Sequence, residues 1–212
     1  VLGYIEGEKT DEIIIIGAHY DHLGTDIKLK GDNIYNGADD NASGVSAVLQ
    51  IARAFSQLDE KPKRSIIFAF FDGEERGLLG SGRFLNKYKK DSTIHQIKGF
   101  INCDMIGRGK NKQVTYFSSD NNPVFKEWLE NDIDRYSLDL KPNFRHLSKL
   151  RGLSDHTTFV RQNIPIIFYH TDIHSDYHKP SDHADKIDYD KVVEITKAAF
   201  LSLWNMVNEK DF

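Results

Sequence analysis

Glu74 and Glu75 stand side by side where an apolar run, Ile66 to Phe71, breaks off into the turn Asp72-Gly73-Glu74-Glu75-Arg76-Gly77. Two neighbouring carboxylates at the end of a buried strand can divide the work, one binding a metal and the other moving a proton. Other acids and imidazoles fall at matching places. His19 follows the isoleucine run Ile13 to Ile16, and Asp39 and Asp40 precede an apolar-periodic segment. Asp104 sits inside the run Ile97 to Ile106, and His178 lies in a loop that also carries His170, His174 and His183. An unpaired carboxylate inside an apolar run is costly, so Asp104 is expected to be used. Acids gathered at one sheet edge would repel unless cations held them together. Three carboxylates with two imidazoles suit borderline metals such as zinc, cobalt or manganese. Calcium would favour an all-oxygen shell.

The elements that must position these residues follow from the pattern of apolar positions. Val1 to Glu6 reads as a strand, and Ile13 to Ile16 as a strand buried on both faces. Residues 23 to 37 are polar and lack periodicity, which predicts a functional loop. Gly37 to Gly44 opens a helix with Val45, Val48, Leu49, Ala52 and Phe55 at helical spacing. Leu78 to Lys90 reads as a helix with Leu79, Phe84, Leu85 and Tyr88 facing inward. Strands are expected at 97–106, 114–117 and 164–169, and a helix follows Pro123 to about Tyr136. Residues 139 to 153 read as irregular, and Ser154 as the N-cap of a helix to about Gln162. A closing helix runs from Asp190 to Asn208, with Val192, Val193, Ile195, Phe200, Leu203, Trp204 and Val207 inward. Strands alternating with helices imply an α/β fold: a three-layer α/β/α sandwich around a central, mostly parallel mixed sheet, in a single domain over 1–212.

The 212 residues and net charge of −4, without a basic run or basic–aromatic interleaving, argue against a nucleic-acid groove. No apolar stretch approaches the length of a membrane span. The single cysteine, Cys103, excludes an internal disulfide. The chain opens on a strand-like segment without an initiator Met. It is expected to be a mature or trimmed piece, secreted or periplasmic, whose targeting segment has been removed.

Six separated pieces resemble one known family in order and spacing. They are Gly17-Ala18-His19-Tyr20-Asp21-His22, Gly37-Ala38-Asp39-Asp40-Asn41-Ala42-Ser43-Gly44, Glu74 to Ser81, Asn102-Cys103-Asp104-Met105, Ser154-Asp155-His156 and Asp176-Tyr177-His178-Lys179-Pro180-Ser181-Asp182. The chain is similar, from about residue 11 to 205, to the M28 zinc metallopeptidases, the co-catalytic two-zinc aminopeptidases of the zinc-exopeptidase fold. The resemblance implies that His19 and Asp104 hold one zinc ion, that Glu75 and His178 hold the other, and that Asp40 bridges them. Asp40 rather than Asp39 is the bridge because the family's ligand is the second acid of this motif. Cobalt or manganese would be expected to replace zinc.

The resemblance makes Glu74 the general base of a hydrolysis that removes N-terminal residues from peptide substrates, with a water activated by both ions. On an extended segment His19 and Asp21 share a face, so Asp21 is expected to accept the ring N–H of His19. His22 is the rival ligand, ranked below His19 because it would point to the opposite face, and His174 is the runner-up to His178. Where many members carry a tyrosine three residues before Ser-Asp-His, this chain has Arg151. Met105 and Ile106, beside Asp104, are candidates for an apolar side-chain pocket. Two alternatives stay open: a glutaminyl-cyclase-like enzyme on the same fold with one zinc, and a catalytically inactive binding module.

Overall fold

A computed structural model describes residues 1–147, 154–209 and 212. Among these residues seven strands form one sheet: β1 (Leu2–Ile5), β2 (Lys9–His19), β5 (Arg64–Phe71), β6 (Ile97–Cys103), β7 (Gln113–Ser118), β8 (Lys141–His146) and β9 (Ile166–His170). Their order across the sheet is β1-β5-β2-β6-β9-β7-β8. The central four, β5-β2-β6-β9, run parallel. β1 pairs antiparallel on one side, and β7 pairs antiparallel with β9 on the other. A small hairpin, β3 (Gly24–Thr25) with β4 (Ile34–Tyr35), lies within the segment expected to be a functional loop.

The isoleucine run shows why the sheet is covered on both faces. Ile14 and Ile16 enter one apolar core, and Ile13 and Ile15 enter the other. The first core is closed by α1 (Gly44–Ser56), α3 (Val124–Tyr136) and α5 (Tyr189–Asn208). The second is closed by α2 (Leu79–Lys90) and α4 (His156–Val160), with the rings of Phe100 and Phe159 stacked at 3.9 Å. The layers are therefore helix, mostly parallel sheet and helix, as the pattern implied. Among the described residues no helix is long and apolar enough to cross a membrane.

Several local expectations change. β8 lies in the stretch expected to be irregular; it is polar and held by parallel pairing with β7. The first long helix begins at Gly44, after a separate helical turn, Ala38–Ser43, in which Asp40 and Asn41 leave helical geometry. Leu49, Leu79, Val193 and Trp204 are exposed rather than inward. Ser154 caps no helix: its hydroxyl accepts a hydrogen bond from Asn102 Nδ2 at 2.8 Å. Met105 and Ile106 are both buried, and Ile106 belongs to the first core.

A candidate two-metal site at the strand ends

Strand register brings the chemistry together. His19 lies level with Phe71, the last residue of β5, and Gly17 with Asn102 near the end of β6. Residues just beyond β2, β5 and β6 therefore meet at one rim, at the carboxyl ends of a parallel sheet, where open α/β sheets bind ligands.

Asp40 occupies the centre of this rim, with its two oxygens facing different partners. Oδ1 lies 3.3 Å from His19 Nε2, which is also 3.5 Å from Asp104 Oδ1. Oδ2 lies 3.3 Å from His178 Nε2, which is also 3.0 Å from Glu75 Oε2. The expected set of His19, Asp40, Glu75, Asp104 and His178 thus converges as two donor groups sharing one carboxylate. Asp104 Oδ1 and His178 Nε2 are buried without a hydrogen-bond partner among the described residues. Buried polar atoms are seldom left so, and donors of these types at this separation fit zinc.

Neighbouring backbone fixes the donors. His19 Nδ1 donates to the Asp21 carbonyl at 3.1 Å, which leaves Nε2 turned towards Asp40 and Asp104. The Asp21 carboxylate is further away, at 3.6 Å, and accepts instead from the backbone N–H groups of Glu74 and Glu75 at 3.0 and 3.3 Å. This corrects the expected ring-to-carboxylate contact. β2 stops at His19, so the extended spacing that would have aligned the two side chains does not continue. Asp21 ties the β2 exit to the Glu74–Glu75 turn. Asp104 is held by its own N–H to Tyr169 O and by His170 Nδ1, which donates to its carbonyl at 2.7 Å.

The two aspartates of the pair have separate fates. Asp39 Oδ1 accepts from Gly107 N–H at 2.6 Å, and its Oδ2 lies 3.2 Å from His174 Nε2. Asp39 and the runner-up His174 therefore face each other away from the shared carboxylate. Asn41 Oδ1 accepts from Met105 N–H, and Ser43 Oγ from Ile106 N–H. Side chains 39, 41 and 43 are stitched to the backbone of 105–107, and only Asp40 turns into the site.

Within the glutamate pair, Glu75 spans His22 and His178, whereas Glu74 makes no ion pair among the described residues. His22 does not point away: its Nδ1 lies 2.8 Å from Glu75 Oε1. Asp182 is a residue the sequence pattern did not single out, although it ends one of the quoted motifs. Its Oδ2 accepts from the N–H groups of Asp39 and Asp40 at 2.8 and 3.2 Å. Arg151 lies outside the described residues.

Electrostatics at the rim follow from this crowding. Burial opposes charge on His19, but Asp104, Asp21 and Asp40 outweigh it and raise its proton affinity well above the usual imidazole range. Burial works to raise Asp40, yet His178 and His19 hold its carboxyl well below the usual range. Burial, reinforced by Asp104, Asp155 and Glu75, pushes Glu74 up to about 8. Behind the site, burial lifts Asp155 to about 6 and lowers His156 to about 4, where its ring stacks on Phe168 at 4.5 Å. The carboxylates that hold a proton on buried His19 would also attract cations.

Three left-handed residues at the rim are not glycine: Leu78, Met105 and His178, with φ of 61°, 54° and 53°. The conformation costs a bulky residue about 1–2 kcal/mol. Such outliers persist only where surrounding contacts over-determine them. Met105 and His178 directly follow or supply the donors described above.

Comparison with known proteins agrees with this geometry. A profile of peptidase family M28 matches residues 1–202. A probable zinc metalloprotease of Pyrenophora tritici-repentis is 39% identical over 109 residues, covering 51% of this chain and 24% of that protein. In alignments that take in nearly the whole chain, it spans about half the length of the curated relatives. The LapA aminopeptidase of Legionella pneumophila superposes with a TM-score of 0.79 at 25% identity, covering 94% of this chain and 52% of that one. A glutaminyl cyclase from an Acidobacteriales bacterium superposes at 0.74 and 21% identity, covering 98% and 73%, a likeness that shows the fold alone. Since the profile runs through every segment that carries a rim residue, the chain belongs to peptidase family M28.

Proposed function

We propose that this chain is the catalytic part of a zinc-dependent aminopeptidase that holds two ions and uses Glu74 as general base. One observation carries the reading: the two oxygens of Asp40 face two separate donor groups, His19 with Asp104 and Glu75 with His178. The zinc in the names of the relatives, and the aminopeptidase activity in that of the structural neighbour, support the metal and the reaction class.

Zinc ions held by these residues would supply Lewis acidity, polarising the scissile carbonyl and making water easier to deprotonate. Everything else falls to the chain. Glu74 takes the proton from the attacking water and returns it to the leaving amine. Its raised proton affinity favours acceptance, and cations bound nearby would draw that affinity back towards neutrality. Asp21 holds the backbone of the Glu74–Glu75 turn, so base and ligand keep a fixed relation. Arg108, a cation beside the rim, is already paired with Asp176 and Asp182.

The test is a substrate panel on zinc-loaded protein: aminoacyl-anilides, N-blocked peptides and N-terminal glutaminyl peptides, with ions per chain measured on the same sample. Two ions, with hydrolysis confined to free N-termini, are expected. Cyclisation of glutaminyl peptides by a one-ion protein would replace this reading with the cyclase alternative, and no turnover by a two-ion protein would leave a binding module.

A further inference from the structure

We propose that His22 is a positioning residue for Glu75, fixing one oxygen of that carboxylate so that the other is presented to the second metal position. The proposal rests on the two-ion reading above. After His19 the chain leaves β2, with Tyr20 N–H bonded to Phe71 O, and the turn brings His22 back over the rim. His22 Nδ1 then lies 2.8 Å from Glu75 Oε1, while Glu75 Oε2 lies 3.0 Å from His178 Nε2. The two carboxylate oxygens thus have different partners.

The surroundings hold the ring in this pose. It meets Tyr35 edge-on at 6.4 Å and His178 at 5.8 Å, and its side chain is only 10% exposed. Gly37 makes room for it: the backbone there is left-handed, φ 61°, and a Cβ would sit 2.9 Å from His22 Cγ. A side chain at 37 would be strained by its own backbone and would strike the ring.

Direct ligation is the rival role: His22 Nδ1 also lies 3.9 Å from Asp40 Oδ2, so His22, Asp40 and Glu75 together could hold an ion, and the variants below separate the two roles. In the positioning role the 2.8 Å contact is a hydrogen bond, and Nδ1, donating its proton to Glu75, offers no lone pair to a metal. With Oε1 held, Glu75 meets the ion through Oε2 in one orientation. Without His22, the carboxylate must be ordered by the ion itself. Loss of such an outer partner typically weakens metal binding about 10–100-fold.

The experiment titrates metal-free protein with zinc against a competing chelator, for the wild type and for His22→Ala, His22→Gln and His22→Asn, with the melting temperature of each metal-free form as a folding control. The asparagine amide can place an N–H close to the position of Nδ1, whereas the glutamine amide reaches past it. Wild type is expected to take up two ions. His22→Ala and His22→Gln should bind the weaker ion about 10–100-fold less tightly with the tighter one unchanged, and His22→Asn should recover most of the loss. Unchanged affinity for the weaker ion in the alanine and glutamine variants overturns the role. So does loss of that ion in all three variants, which would make His22 a ligand. A wild type that takes up one ion overturns the two-ion reading itself, and the role of His22 with it.

Discussion

The two halves of the site are built from different material. His19, Asp40 and Asp104 are buried, at 1%, 3% and 7% exposure, and His19 and Asp104 lie at or just past the ends of neighbouring strands. Glu75 and His178 are carried by the turns after β5 and β9, and the His178 side chain is 35% exposed, with its backbone in a left-handed conformation. The first half inherits rigidity from the sheet. The second is held by side chains from loops: His22, and the Tyr177 ring stacked on His178 at 3.8 Å. A donor set ordered by a sheet loses less freedom when an ion binds than one ordered by loops. The buried half should therefore hold metal more tightly, and the open half should exchange metal and meet substrate.

Removing the shared residue abolishes the contrast altogether. Asp40→Ala is expected to lose both ions and nearly all activity, read by metal analysis and turnover on one sample; retention of one tight ion would mean that the halves are independent. Next in size is Glu74→Gln, which keeps shape but cannot accept a proton. Its kcat should fall about 10²–10⁴-fold with KM little changed and both ions in place. Near-normal turnover at full metal content would take the base role away from Glu74. A chelator titration of the wild type sharpens the comparison directly. Metal should leave in two phases, and His178→Ala should lower the affinity of only the first to leave, by at least about 10–100-fold; release in a single phase would contradict the difference between the halves.

The smallest effect concerns the loop beneath His178. Asp176 accepts hydrogen bonds from Lys186, Arg108 and Ser181, and these hold its carboxyl well below the usual range. A carboxyl lowered by folding stabilises at pH values above its unfolded pKa and loses that contribution as the pH falls. Asp176→Asn should therefore lower Tm by about 2–4 °C near pH 7, with the gap to wild type narrowing below about pH 4. A gap that stays constant on acidification would show that the ion pairs are not its source.

How far the sequence reaches differs between the same regions. β2, β5 and β6 were legible because an apolar run that stops at an acid or histidine marks a buried strand meeting a polar rim, and Asp104 stood out for the same reason. β8 was not, because an edge strand paired on one side needs no apolar alternation, and Lys141–His146 carries little. The orientation of His22 is not legible from period-two alternation, because β2 ends at His19 and the chain turns back over the rim. Asp182 escaped notice because its work is done on backbone N–H groups far away in the chain, which leave no mark in side-chain pattern. Leu79, Val193 and Trp204 have apolar chemistry without an inward position, since helical spacing gives a stripe but not its edges.

The stitching of residues 39–43 to 105–107 works like a reading frame. Odd positions in the first segment tether, and the even position Asp40 points into the site. Gly44 closes the frame, since a Cβ there would lie 2.2 Å from the Cys103 carbonyl oxygen. One inserted or deleted residue between Ala38 and Gly44 would put Asp40 and the tethers out of step with residues 105–107. Substitution at a single tether leaves the other two in register; a change of length leaves none. Variation in length is thus admissible at the exposed tip between Thr25 and Ile34, short of the Tyr35 ring beside His22, and prohibited from Gly37 onward, which tells designers of this scaffold where loops can be grafted and where they cannot.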